Sequence, residues 1–108
     1  MKLPAETVIA TEKLRDYLLR SREDHDKAGF LAVAGYEAGL HERLEADLRS
    51  QLLPLEAEVA EQTAYGQKFI IRGKLTGPNG RSLRVLSVWM LDKATGLNRF
   101  ITLYPSPK

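Results

Sequence analysis

Residues 67–91 read QKFIIRGKLTGPNGRSLRVLSVWML and contain the clearest structural signal in the chain. Apolar and polar residues alternate on both sides of GPNG, as expected of strands whose successive side chains point to opposite faces of a sheet. Within GPNG, Pro78 restricts φ, and the pair Asn79–Gly80 tolerates the positive φ that a tight turn requires. The stretch therefore predicts a β-hairpin.

Two further segments extend this hairpin into a larger sheet. Residues 55–62 (LEAEVAEQ) alternate apolar and acidic residues before the turn AYG, and residues 97–105 (LNRFITLYP) follow the connection DKATG. Short strands joined in sequence by turns are typical of an antiparallel meander. We predict four strands between residues 55 and 105.

The first half of the chain has helical periodicity instead. A first helix is predicted over residues 11–21, and a short apolar helix follows it. A third, amphipathic helix is predicted over residues 38–52, because Leu40, Leu44 and Leu48 repeat at every fourth position. Helices that precede a meander define an α+β plan.

Length and periodicity together predict one domain, residues 1–108, that is helical over residues 10–53. We expect the N-terminal helices to pack on one face of the four-stranded antiparallel β-meander, because each of these elements has an apolar side to bury.

Composition excludes several classes of protein. The absence of cysteine excludes disulfides and thiolate zinc sites, and two histidines, His25 and His41, are too few to suggest another transition-metal site. The N-terminus has no secretory apolar region, and the longest apolar run, FLAVAGY at residues 30–36, is too short to span a bilayer. We therefore predict a cytoplasmic protein without a membrane segment, metal or cofactor.

The two halves of the chain differ in charge. Up to Pro54 there are eight basic and ten acidic residues, whereas from Ala64 onward eight basic residues accompany only Asp92. A basic half is typical of a surface that binds phosphate or an acidic protein, and equally of a solubilising charge on an exposed sheet face.

Period-two alternation divides the predicted sheet into two faces. One face is apolar and is expected to lie under the helices. The other face mixes basic, hydroxyl and apolar side chains, so we expect a ligand, a partner or a second copy of the chain to cover part of it. This second face is predicted to carry Lys68, Ile70, Arg72, Lys74, Arg84, Leu86, Val88, Met90, Phe100, Thr102 and Tyr104.

The basic and hydroxyl side chains of the second face suggest an anion site, because cations on neighbouring strands can converge on one phosphate while Tyr104 stacks or donates a hydrogen bond. The alternative is a mixed face that pairs with another protein, in which Thr102 and Tyr104 are ordinary strand formers. His25 lies between acidic residues and is either a general acid or base or a solvated loop histidine.

The order of these segments resembles a family of small, uncharacterised bacterial and cyanobacterial proteins. The resemblance rests on KLRDYLL (residues 13–19), AYGQKFIIRGKLTGPNGRS (64–82), VWML (88–91) and RFITLYP (99–105). The family pattern consists of KLRDYLL, a loop HPxGxxKA, a hairpin YGxxYxxxGxLTGPxGR, a strand VWI and a final PRxxTxYP. This chain departs from the family pattern in the loop. Its segment SREDHDKA is shorter than the family loop, and only Lys27 and Ala28 align with the family's KA.

In layout the family is similar to compact ribonuclease toxins of the barnase, colicin and RelE type, in which helices precede a meander whose open face holds the site. The resemblance implies RNA as substrate and a small antitoxin-like protein as partner. Since the loop lacks the family's histidine-proline pair, the sequence leaves three alternatives: His25 substitutes for that histidine, activity is weakened or lost, or the basic residues act alone.

Our leading prediction is a toxin-type, metal-independent endoribonuclease that binds RNA on the basic sheet face. Charge stabilisation is assigned to Arg72 and Arg84, and proton transfer to Tyr104 or His25. Strict alternation places Arg99 on the opposite face, so that it joins the site only through a bulge or at a sheet edge. The residues predicted to bind the substrate are Lys27, Lys68, Lys74, Arg99 and Thr102.

The alternative prediction is a non-catalytic interaction module. In that case the mixed face binds a protein partner or forms a homodimer, which Leu86, Val88, Met90 and Phe100 favour because they are apolar.

Overall fold

The computed structural model describes residues 1–19 and 27–106. Short helical segments precede one four-stranded antiparallel sheet whose strands are hydrogen-bonded in the order β1-β2-β3-β4. The strands are β1 (Glu58–Thr63), β2 (Gly66–Thr76), β3 (Ser82–Asp92) and β4 (Asn98–Pro105). The predicted α+β class and antiparallel meander are confirmed.

Within residues 1–19 and 27–57, three helices precede the sheet. The first helix is π-helical over Lys13–Leu18, and the second helix spans Lys27–Ala32. The third helix begins with a 3₁₀ turn at Ala38–Leu40, is α-helical over His41–Asp47 and ends in π-helical turns at Leu48–Leu52. Its limits match the i+4 leucine repeat, whose members Leu44 and Leu48 are fully buried.

The core joins side chains of the helices to one face of the sheet. Trp89 is fully buried at its centre and packs edge-to-face on Phe100, with ring centroids 5.1 Å apart. The indole N–H of Trp89 donates to Ser87 Oγ at 2.8 Å, and that hydroxyl donates to the Ile71 carbonyl at 2.8 Å, so this buried polar chain is satisfied. Other fully buried core residues include Leu14, Leu18, Leu31, Tyr36, Leu52, Leu75, Val85 and Leu103.

The tip of the β2–β3 hairpin docks onto the loop after the second helix. The backbone N–H of Asn79 donates to Ala34 O at 3.2 Å, and the side-chain amide of Asn79 donates to Val33 O at 3.0 Å. Gly80 takes the positive φ of the turn, at 86°, while Gly77 lies directly against Ala34. The GPNG sequence therefore serves both the turn and the attachment of the hairpin to the helical part.

The N-terminal segment runs along the outer side of β4. Val8 N donates to Asn98 O and Phe100 N donates to Val8 O, both at 2.8 Å. Leu3 and Ile9 are buried in the core on either side of this contact. The first part of the β4 edge is therefore paired with backbone.

The contact at Gly77 predicts a specific cost for adding a methyl group. A Cβ on Gly77 would lie 2.1 Å from Ala34 O, a backbone atom that cannot rotate away, whereas a Cβ on Gly39 would meet nothing within 4 Å. We expect Gly77→Ala to lower the free energy of unfolding by roughly 1–3 kcal/mol in urea denaturation. Gly39→Ala is the matched control and should leave stability unchanged or slightly higher. Equal stability of the two variants would contradict the docking contact.

Candidate functional site

The sheet face turned away from the core, called the open face below, is organised in rows by the strand register. In an antiparallel sheet, directly opposed residues present their side chains on the same face. The register pairs Ile70 with Val88 and Val88 with Thr102, so that these three form one row across β2, β3 and β4. The neighbouring rows are Lys68–Met90–Arg99, Arg72–Leu86–Tyr104 and Lys74–Arg84.

A β-bulge in β4 changes which residues reach the open face. Val88 pairs with Thr102 and Trp89 with Phe100, which leaves Ile101 as the extra residue. The prediction that Phe100 lies on the open face is wrong, because the bulge turns it into the core beside Trp89. The same bulge brings Arg99 to the face of Thr102. A bulge was one of the two ways in which the sequence allowed Arg99 to reach that face.

Arg99 nevertheless lies apart from the centre of the open face. It pairs with Met90 near one end of the sheet, and its Nε donates to Asp92 Oδ2 at 3.1 Å. A hydrogen bond from the Ala94 amide and the Arg99 guanidinium lower the pKa of Asp92. Arg99 therefore has a carboxylate partner, and it lines neither of the two depressions described below.

A cluster around Lys27 lies at the outer edge of β4. Lys27 begins the second helix and extends its ammonium to the open face, where Nζ donates to Thr102 Oγ1 at 2.7 Å and to Tyr17 Oη at 2.9 Å. The same nitrogen lies 4.2 Å from the ring centroid of Tyr104 and 4.9 Å from that of Tyr17. These four residues form what we call the Lys27 cluster.

The Lys27 cluster has the electrostatics of an anion site. Hydrogen bonds from Lys27 and Thr102 lower the pKa of Tyr17 below its usual value, because they stabilise the phenolate. An ammonium group has three N–H donors, and the two bonds to Tyr17 and Thr102 leave one of them for a ligand. Thr102 is buried, whereas the Tyr104 side chain is 47% exposed and available for stacking.

Two depressions lie along the open face. The larger, of about 350 Å³, is bounded by Lys68 on one side and by Thr102 and Tyr104 on the other. Its floor is apolar, because Ile70 and Val88, with Leu86 beside them, occupy the centre of the rows. The smaller depression, of about 220 Å³, is lined by Arg72, Lys74, Arg84, Gly73 and Ser106.

The cations of the open face differ in their partners. Arg72 pairs with Glu58 of β1, and Lys68 lies 3.9 Å from Glu61 of the same strand. Over residues 1–19 and 27–106, no carboxylate lies within ion-pair distance of Lys74, Arg84 or Lys27. Among the described residues, the cations beside β1 and at Arg99 therefore have carboxylate partners, whereas Lys27, Lys74 and Arg84 have none.

Most of the predicted site residues thus lie on one face. Thr102 and Tyr104 are in the Lys27 cluster with Lys27 itself; Lys68 lines the larger depression; Arg72, Lys74 and Arg84 line the smaller one. His25 lies outside the described residues. Tyr17 was not among the predicted site residues, because the periodicity indicates only that it lies on a helix. The signal that could have identified it is its place in the KLRDYLL motif.

Other kinds of site find little support in the part of the chain that the structure describes. Among those residues, no three histidines or carboxylates lie close enough together to hold a metal ion. No helix there is both long and apolar enough to cross a membrane.

The fold and site define a small α+β protein with an open, cation-bordered antiparallel sheet. The chain belongs to the family DUF6883, a domain of unknown function, whose sequence profile matches residues 2–107. The prediction that the chain belongs to an uncharacterised family is confirmed. No curated protein and no solved structure is similar enough to this chain to count as a match.

The lowered pKa of Tyr17 can be tested by titration. The hydrogen bond from Lys27 is the largest cause of this lowered pKa, and the charge of Lys13 is the smallest. We expect an ionisation step below the ordinary tyrosine value of 10.0 in the ultraviolet absorbance of phenolate, absent in Tyr17→Phe. Lys27→Met should raise the pKa of this step clearly, and Lys13→Met only slightly. An unchanged step in Lys27→Met would show that the ammonium does not hold the phenol.

Proposed function

We propose that this protein is an endoribonuclease that binds RNA on the open face and cleaves it at the Lys27 cluster. The observation that carries the proposal is the placement of the Lys27 ammonium, held by Thr102 and Tyr17, beside a depression whose other side carries Lys68. Such an arrangement offers positive charge and hydrogen-bond donors where a phosphate would develop negative charge.

The reaction we propose is an internal displacement at phosphorus. The ribose 2′-oxygen attacks the adjacent phosphate, the bond from phosphorus to the 5′-oxygen breaks, and the products are a 2′,3′-cyclic phosphate and a free 5′-hydroxyl. A base takes the proton of the 2′-hydroxyl and an acid gives a proton to the leaving 5′-oxygen. Lys27 stabilises the additional charge on the non-bridging oxygens.

The side chains divide these roles by position. The Tyr104 hydroxyl, on the side of the larger depression, is the proposed proton donor, and Tyr17 positions Lys27. His25, two residues before Lys27 in the chain, is the proposed base, a role that rests on the sequence alone. Arg72 and Arg84 line the separate, smaller depression, so we assign them to binding of the RNA chain instead of charge stabilisation at the reacting phosphate.

Cleavage assays with purified protein test this proposal directly. We expect single-stranded RNA to be cut to 2′,3′-cyclic phosphate ends, and DNA of the same sequence to stay intact because it lacks the 2′-hydroxyl. Lys27→Met should lower the rate by about 100-fold or more, as does loss of one donor to a developing oxyanion in other enzymes. The control Lys93→Met removes the same charge from an exposed turn and should keep the wild-type rate. Intact RNA with the wild-type protein, or equal rates for the two variants, would refute the proposal.

A second candidate function is supported by the apolar floor of the larger depression. Ile70, Leu86 and Val88 are only partly buried there, which suits a non-catalytic face for a protein partner, such as a small acidic antitoxin-like protein, or for a second copy. Sedimentation distinguishes the two functions. The interaction module would be favoured if the protein self-associates, if Leu86→Asp abolishes that self-association, and if the wild-type protein leaves RNA intact.

The ion pair between Glu58 and Arg72 predicts a variant with higher affinity for RNA. Glu58→Gln releases Arg72 and removes a negative charge from the border of the open face, and a pair of exposed charges at this range interacts with ~1 kcal/mol. We expect Glu58→Gln to tighten RNA binding about five-fold at low salt and less at high salt. Glu42→Gln is the control, because it removes the same charge from an exposed position in the third helix. Equal affinity in both variants would show that RNA does not bind near Arg72.

A further inference from the structure

We infer that the smaller depression is a second phosphate subsite, so that the ligand of the open face is a single strand of RNA with several phosphates. The inference rests on the proposed function for the identity of the ligand. It goes beyond that proposal in stating the length and the strandedness of the substrate.

The charges of the smaller depression favour an anion. Three cationic side chains, Arg72, Lys74 and Arg84, converge on it, and the nearest ion-pairing carboxylate among the described residues is Glu58, which pairs only with Arg72. Guanidinium groups match phosphate oxygens with paired donors, and Lys74 adds a point charge. The depression therefore keeps an excess of positive charge that is complementary to a phosphate.

The register sets the separation of the two subsites. Thr102 of the Lys27 cluster is opposite Val88, and Arg84 lies four residues earlier on β3, which corresponds to about 14 Å at 3.4 Å per residue. One phosphodiester cannot contact both places, whereas a strand with several phosphates can. We therefore expect one phosphate at Lys27 and a later or earlier one at Arg84.

The surface between the two subsites suits an unpaired base. Leu86 lies between Arg84 and Val88 on β3, and its neighbours across the row are Arg72 and Tyr104. A base can rest on this apolar floor and stack against the exposed Tyr104 ring, as bases do on aromatic side chains in proteins that bind single strands. A base inside a duplex cannot do so, because its faces are already stacked on its neighbours. The geometry therefore selects single strands.

Binding of short, non-cleavable 2′-O-methyl RNAs tests the inference, with affinity measured by fluorescence anisotropy. A labelled tetranucleotide should bind at least about tenfold more tightly than the dinucleotide, because its additional phosphates can form charge-assisted hydrogen bonds in the smaller depression. The tetranucleotide should also show the steeper salt dependence, by about 0.7 in the logarithmic slope for each additional phosphate neutralised. A duplex of the same sequence should bind more weakly than the single strand.

Three variants locate the two subsites. The double variant Lys74→Met, Arg84→Met should lower tetranucleotide affinity to that of the dinucleotide and leave dinucleotide binding unchanged. Lys27→Met should weaken both ligands, and Lys93→Met should weaken neither. Lys74, Arg84 and Lys93 are exposed and Lys27 is half-buried, and circular dichroism verifies that all the variants are folded.

The outcomes separate this inference from the proposed function. If the wild-type protein leaves RNA intact but binds the tetranucleotide more tightly through Lys74 and Arg84, the subsite is supported and the nuclease proposal fails. If RNA is cleaved but both oligonucleotides bind equally, the subsite is refuted and the nuclease proposal stands. Stronger binding of the duplex, or loss of dinucleotide binding in the double variant, would also overturn the inference.

Discussion

The β-bulge at Ile101 determines which side chains of β4 enter the core and which reach the open face. It inserts one residue between two pairs of the β3–β4 ladder, so that Phe100 enters the core beside Trp89 while Thr102 still reaches the open face. Without the extra residue, strict alternation would place Phe100 and Thr102 on the same face. A single irregularity thus reconciles the packing of the core with the position of the candidate site.

The edge strand β4 connects the helical part to the open face. Along its first part the N-terminal segment pairs with it through Val8, and beside Thr102 the Lys27 side chain crosses its outer edge. The ammonium is then placed between two tyrosine rings, one from the first helix and one from β4. This arrangement combines charge, hydrogen bonds and aromatic surface at one point, although its members are far apart in the chain.

Much of the fold was predictable because it follows from local patterns. The GPNG turn, the alternation around it and the i+4 leucine repeat each act within a few residues, and the structure has the corresponding hairpin, strands and third helix. The candidate site was predictable only in part. The cationic residues of β2 and β3 were assigned to the correct face because β2 and β3 pair without interruption, whereas Phe100 was misplaced because the bulge arises from packing against Trp89 and β3.

Four features follow from the amino-acid sequence alone: the α+β class, the antiparallel meander, the basic character of the second half and the family of the chain. Periodicity, turn chemistry and charge are properties of neighbouring residues, so these features can be read without coordinates. Only the tertiary structure decided that Tyr17, Lys27, Thr102 and Tyr104 meet, and that Arg72 and Arg84 belong to a separate depression. The reason is physical: the Lys27 cluster depends on how a helix lies against an edge strand, and no local pattern specifies the distance between two elements that pack only after the chain has folded.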